Sequence, residues 1–158
     1  MVLMKGVDER GFQFFSNYHS QKGQELEENP RAALVFYWEP LHRQVRVEGT
    51  VTHVSAKESD EYFATRPRGS QISSAASLQS QAYEDREEVR EKISTLEELC
   101  SGPDGDELPV PRPSRWGGFN VAPTKIEFWQ GDTNRLHERV VYRRAKPEGP
   151  WSLSMLYP

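Results

Sequence analysis

The stretch Asn134-Arg135-Leu136-His137-Glu138-Arg139 sets two guanidiniums and an imidazole at alternate positions. On a strand, alternate side chains share a face, so Arg135, His137 and Arg139 are expected to form one cationic row, with Leu136, Glu138 and Val140 opposite. Arginine carries a planar fork of donors suited to phosphate or carboxylate. Facing inward, such a row needs an anion, because unpaired buried charge is costly. Facing outward, it is a solvated basic face on an edge strand.

A second constellation follows Ser55. Tyr62 and Arg66 are four residues apart, hence on one face of a helix. Ser70 lies just past Pro67, where a new helix can open, and free amides at a helix start attract anions. The three could converge on one phosphate. They could equally be a packing tyrosine, a surface arginine and an ordinary cap. Lys5, Lys22, Gln44, Gln79, Ser80 and Trp129 offer charge, hydrogen bonds or a stacking surface, though taken singly each also reads as surface or core. His19, His42 and His53 have no metal-ligand spacing, and Cys100 has no CxxC partner, so no metal is expected. There is no P-loop and no GxGxxG, and His137 has no neighbouring Ser or Cys nucleophile.

These residues need elements to hold them. Val2–Lys5 and Gly11–Asn17 read as a hairpin around the polar GVDERG. Ser20–Glu28 reads as a helix ending before Asn29-Pro30. Ala32–Trp38 is an apolar run short enough for a buried strand. Val45, Val47, Gly49, Val51 and His53 then alternate with polar residues, as in a half-buried antiparallel strand. Ser55 and Glu58 have capping-box spacing for a helix to about Thr65, and a short helix should begin near Ser70. Asp85–Cys100 places Val89, Ile93, Leu96 and Leu99 on one helical face. A Pro/Gly-rich loop covers 101–115, and WGGFNV, KIEFWQG and RLHERVVYRR are three strand candidates. The fold class expected is mainly β: an antiparallel barrel with peripheral helices.

Composition narrows the function. A chain of 158 residues is expected to be one domain, spanning 1–158. Its formal charge of −4 argues against a nucleic-acid binder built on phosphate contacts. No apolar run approaches a membrane span, and one cysteine suits a reducing, cytoplasmic setting.

The segments FYWEPLHRQVRVEG, YFATRPRGSQI, SRWGGF and IEFWQGDTNRLHER together resemble the pyridoxamine (pyridoxine) 5′-phosphate oxidase family, over about Val2 to Arg144. The resemblance implies an FMN-binding split β-barrel, antiparallel and of Greek-key type, that dimerises with FMN at the subunit interface. It implies oxidation of pyridoxine or pyridoxamine 5′-phosphate to pyridoxal 5′-phosphate, with O2 as acceptor and hydrogen peroxide as product. By motif, Lys5, Tyr62, Arg66 and Ser70 resemble the substrate-phosphate cradle. Arg135 and His137 resemble the pair over the substrate ring, the expected catalytic residues. Phe15, Ser16, Lys22, Gln44, Gln79, Ser80, Trp129 and Arg139 resemble FMN contacts.

The sequence departs from the family pattern in three places. Met1 falls inside the family's first motif, so an N-terminally truncated barrel is expected, without an upstream arginine for the FMN phosphate. Gln21 stands where the family usually has arginine, and WSLSMLYP resembles the family's ending only loosely. These departures motivate the alternative: a form that binds pyridoxal phosphate or flavin, or pairs with a full-length oxidase, without turnover.

Overall fold

The structure, a computed structural model, describes residues Met1–Pro158. In chain order the elements are β1 (Met4–Asp8), β2 (Gly11–Asn17), α1 (Gln21–Glu28), β3 (Arg31–Trp38), β4 (Arg43–His53), α2 (Ala56–Ala64), α3 (Arg68–Ala76), α4 (Arg86–Leu99), β5 (Trp116–Gln130), β6 (Glu138–Arg143) and β7 (Ser152–Met155). The seven strands form one sheet in the order β1-β2-β5-β4-β3, with β6 paired to β5 and β7 to β6. The expected mainly β architecture with outlying helices is present.

Two compact units divide the chain. The first comprises Met1–Leu3, Phe14–Glu28 and His53–Phe119; the second comprises Met4–Gln13, Asn29–Thr52 and Asn120–Pro158.

The first unit holds the four helices. Ser55 caps α2 as its spacing predicts: its hydroxyl accepts from the Glu58 amide at 3.1 Å, and the Glu58 carboxylate accepts from the Ser55 amide at 3.1 Å. Helix α3 opens earlier than expected. Pro67 is its N-cap, and the Pro67 carbonyl accepts from the Ser70 and Gln71 amides, so Ser70 lies within the first turn rather than at the cap. On α4, Val89, Ile93 and Leu96 turn inward, but Leu99 does not: it is 71% exposed, and the buried Cys100 completes the stripe. Phe63, Ile72, Cys100, Val110 and Trp116 form the core, with Ile93 and Leu96 against it. Burying a side chain of Phe63's size stabilises by roughly 1.5–3 kcal/mol. The 101–115 loop is tied down by two arginines. Arg68 donates to the carbonyls of Cys100 and Leu108 at 2.7 Å each, and Arg112 pairs with Asp60 at 2.6 Å.

The second unit is built of strands. β3 and β4 pair antiparallel from Arg31↔Thr50 to Trp38↔Arg43. Val47 and Val51 are buried, as the β4 alternation predicts. β3 departs from expectation: it is not a buried strand. It ends the strand path with β4 alone beside it, and Val35 and Tyr37 stand 60% and 57% exposed. WGGFNV and KIEFWQG belong to one 15-residue strand, because Pro123 removes a single ladder donor without bending the extended chain. The hairpin strand β1 reaches Asp8, leaving a turn of Glu9 and Arg10. Asp8 accepts from the Arg10 amide and guanidinium there, which holds its carboxyl below the usual range. β7 was not expected; it pairs with β6 from Val140↔Met155 to Arg143↔Ser152. Gly49 is required where β4 meets β5, since a Cβ there would lie 2.2 Å from the Ala122 carbonyl oxygen.

Candidate active site

In the first unit, Ser16, Lys22 and Gln79 come together. Lys22, the second residue of α1, reaches back to β2 and to the loop after α3. Its ammonium donates to Gln79 Oε1 at 2.7 Å, Ser16 Oγ at 3.0 Å and Ser20 Oγ at 3.2 Å. All three acceptors are neutral. Burial pushes the Lys22 ammonium below the ordinary lysine value, partly opposed by Glu25. Ser80, beside Gln79, is exposed and held at φ 72°. Gln21, the departure from the family pattern, turns to Glu25 on its own helix at 2.9 Å.

The Tyr62 group is assembled by aromatic packing. The Phe15 and Tyr62 rings stack at 4.0 Å, and Phe15 stacks on Trp116 at 5.5 Å. Arg66 lies beyond the end of α2, in the bend between helices, so the expected helical pairing of Tyr62 and Arg66 does not apply: Pro67 ends the helix first. Arg66 instead folds back over the Trp116 ring, 4.7 Å from its centre, and donates to Ser74 Oγ at 2.8 Å. Ser74 is one α3 turn past Ser70, so Ser70 is on the same helix face as Arg66's hydroxyl partner. Burial lowers the Arg66 guanidinium's pKa, opposed by Tyr62, and its hydrogen-bond partner is neutral, like those of Lys22.

In the second unit the expected cationic row is broken. The strand begins only at Glu138, so Arg135 and His137 precede it. Asp132 accepts from the Thr133 amide at 2.6 Å and opens a short 3-10 turn, within which Asn134 and Arg135 take φ of 54° and 61°. That left-handed backbone is costly for a long side chain, roughly 1–3 kcal/mol, and such strain clusters at functional sites. Arg135 is exposed. The Asp132 amide donates to His137 Nδ1 at 3.1 Å. A neutral His137 therefore carries its proton on Nε2 and presents a donor outward. The His137 ring lies 4.9 Å from Trp129, and Trp129 is the register partner of Arg139. Arg139 is closed against the buried carboxylate of Glu127, with Nε and Oε1 at 2.7 Å. Gln44 is half-buried on β4 opposite Tyr37, and Lys5 is exposed on β1.

Residues 1–100 match the family model described as pyridoxamine 5′-phosphate oxidase. The chain belongs to that family. Residues 116–158 match the model described as the pyridoxine 5′-phosphate oxidase C-terminal dimerisation region, which marks the chain as a homodimer-forming type. The pyridoxine/pyridoxamine 5′-phosphate oxidase of Salinibacter ruber is 52% identical over 158 residues, covering all of this chain and 72% of that protein. The pyridoxine-5′-phosphate oxidase of Bos taurus is 51% identical over 155 residues, 95% of this chain and 58% of that protein. Among solved structures, PhzG from Burkholderia lata, in complex with tetrahydrophenazine-1-carboxylic acid, superposes with a TM-score of 0.89 at 30% identity, covering 99% of this chain and 73% of that one. A pyridoxamine 5′-phosphate oxidase-related, FMN binding protein from Nostoc punctiforme shares the fold at a TM-score of 0.76 and 15% identity, covering 99% of this chain and 79% of that one. The fold is the split barrel expected.

Sequence reasoning missed three residues around these groups. Gln130 donates to the carbonyls of Leu41 at 3.1 Å and His42 at 3.4 Å, and accepts from Arg43 Nε at 2.6 Å. With the Gly131 amide on the His42 carbonyl at 2.7 Å, it clasps the start of the Arg135 turn to the β3–β4 turn. Asp132 and Glu127 orient His137 and Arg139. Glu127 carries no sequence signal beyond sharing a strand face with Trp129, because its burial is known only from the structure.

Proposed function

We propose that the chain is an FMN-dependent oxidase that converts pyridoxine or pyridoxamine 5′-phosphate to pyridoxal 5′-phosphate, with O2 as acceptor and hydrogen peroxide as product. The amine substrate also takes up water and releases ammonia. The family membership supports the reaction class. The observation that carries the site is the state of Lys22 and Arg66: two cations drawn partly out of water and bonded only to neutral oxygens. A phosphate group supplies the missing negative charge for each.

The donor set fits FMN. Lys22, Ser16, Gln79 and Ser80 would hold its phosphate and polar edges, while Phe15, Gln44, Trp129 and Arg139 supply stacking and hydrogen-bonding surface. Held there, FMN would supply the redox chemistry, as the acceptor of two electrons from the substrate's 4′ carbon and their donor to oxygen. Arg66, with Tyr62, Ser70 and Lys5, binds the substrate phosphate. Arg135 places a fixed positive charge by the substrate ring, and His137 offers its Nε2 proton as a donor, so the pair orients the reacting carbon and stabilises charge there. The chain acts as a homodimer with FMN at the interface. Its acidic charge and cysteine usage favour a cytoplasmic protein without nucleic-acid or membrane partners, and none of its helices is long and apolar enough to cross a membrane.

The purified protein, reconstituted with FMN, should be yellow and should form peroxide and pyridoxal 5′-phosphate from either substrate. A protein that stays colourless in excess FMN would overturn this reading.

A further inference from the structure

Glu127 is 7% exposed at its side chain, deep for a carboxylate, and its partner Arg139 is 30% exposed. One carboxylate oxygen takes both Nε and Nη2 of Arg139, each at 2.7 Å. Arg139 Nη1 donates to the Tyr157 carbonyl at 3.2 Å, and the Leu156 amide donates to the Arg139 carbonyl at 3.0 Å. The guanidinium is thus fixed on two sides. Trp129 pairs in register with Arg139, and Glu127 is two residues from Trp129 on β5, so all three share one sheet face.

An arginine needed only for its positive charge gains nothing from a buried carboxylate, which is costly to bury and neutralises it. Fixing its aim while cancelling its charge is a different task. Reduction adds negative charge to a flavin, so a bare cation beside the ring favours the reduced form and a neutral ion pair does not. We propose that Glu127 is a positioning residue that aims Arg139 at the flavin and, by cancelling its charge, keeps the reduction potential of bound FMN low enough for rapid reoxidation by O2. This rests on the FMN reading above.

The test compares FMN-loaded wild type with Glu127→Gln, which keeps the shape and the acceptor oxygen but removes the charge. Dye-equilibration titration should show the reduced form favoured at least tenfold more in Glu127→Gln, a shift of about +30 mV for a two-electron couple. The double variant Glu127→Gln/Arg139→Gln restores neutrality and should return most of that shift. An unchanged potential in Glu127→Gln, or a double variant that stays shifted like the single one, overturns the proposal and leaves the FMN reading intact. A wild type that binds no FMN overturns both. If Glu127→Gln does not fold, Glu127→Asp carries the test. It keeps the charge but draws the guanidinium back, so the potential should stay at the wild-type value while the FMN dissociation constant rises at least threefold; an unchanged constant overturns the proposal.

Discussion

The candidate site residues of the two units hold their cations in opposite ways, although the first unit also has paired cations away from them, such as Arg112 on Asp60. In the first, Lys22 and Arg66 are pulled partly from water, depressed in pKa by that burial, and bonded to hydroxyl and amide oxygens. In the second, Arg139 and Lys125 are closed on carboxylates, and Arg135 is lifted into solvent on a strained turn. Each arrangement has an arginine beside an aromatic residue: Arg66 over the Trp116 ring and Arg139 opposite Trp129 in register. They differ in what is left over. A desolvated cation with neutral partners has unspent electrostatic attraction and is built to meet an anion. A cation already paired is built to be aimed. Residue type cannot separate the two, since lysine and arginine occur in both; only their partners do.

The sharpest way to break this contrast is Arg135→Ala. If Arg135 acts on the reacting substrate rather than on folding or cofactor retention, turnover should fall at least about a hundredfold. FMN content and the denaturant midpoint should stay near wild type, because the side chain packs against nothing that it would leave empty. Equal losses of FMN and turnover would show that the exposed cation of the second unit belongs to the cofactor. Arg135→Gly sharpens the point: glycine relieves the positive φ, so the protein should gain up to about 1 kcal/mol in stability while losing the same activity.

Most of the fold was readable from the chain. The capping box at Ser55, the β4 alternation and the α4 stripe are local patterns, and the structure follows them. The failures occur where tertiary contacts decide. Ala32–Trp38 reads as buried because it is apolar, but its burial depends on whether the sheet continues past it. WSLSMLYP carries no strand signal of its own and becomes β7 only because β6 offers a free edge. Leu99 loses its place to Cys100, which stands four residues after Leu96 and so shares its helix face. The site was legible as a set of residues but not as a geometry. NRLHER is a strand pattern, and only the Asp132 cap, with two consecutive left-handed residues, turns it into a 3-10 turn. The orienting groups Glu127 and Gln130 are uncharacteristic residues on a strand until their partners are known.

Lys22→Gln probes the other side of the comparison. Losing one charge-assisted phosphate contact of roughly 1.5–3 kcal/mol should weaken FMN binding by about ten- to a hundredfold. The pH dependence gives a signature that simple loss of packing would not. In the free protein Lys22 loses its proton below the ordinary lysine value of about 10.4, so FMN affinity should fall as pH rises through that lowered value, and Lys22→Gln should flatten the fall. The sign for folding is opposite. Between the lowered folded value and the ordinary unfolded one, the unfolded chain binds more protons, so the FMN-free protein should gain stability with pH across the window in which it loses FMN. Titrating FMN affinity and the urea midpoint over the same alkaline range checks both. If the two curves ran in parallel, the desolvated-cation picture of the first unit would fail.

The smallest effect tests whether the second unit's paired charges are as self-contained as they look. Lys125 bonds Glu48 at 2.8 Å, and this hydrogen bond, with the Lys125 and Arg46 charges, holds the Glu48 carboxyl below its usual range. Both partners remain partly solvated, so screening limits the pair to about 0.5–1 kcal/mol. The sign follows from the lowered value: the contribution is fully present above the ordinary glutamate pKa of about 4.3 and is lost as pH falls through the folded one. Lys125→Gln should therefore lower stability by that amount at neutral pH and by nothing in strong acid, with FMN affinity unchanged. A variant that weakened FMN binding instead would place Lys125 among the cations that face a ligand, and pairing with a carboxylate would no longer separate the paired charges from the waiting ones.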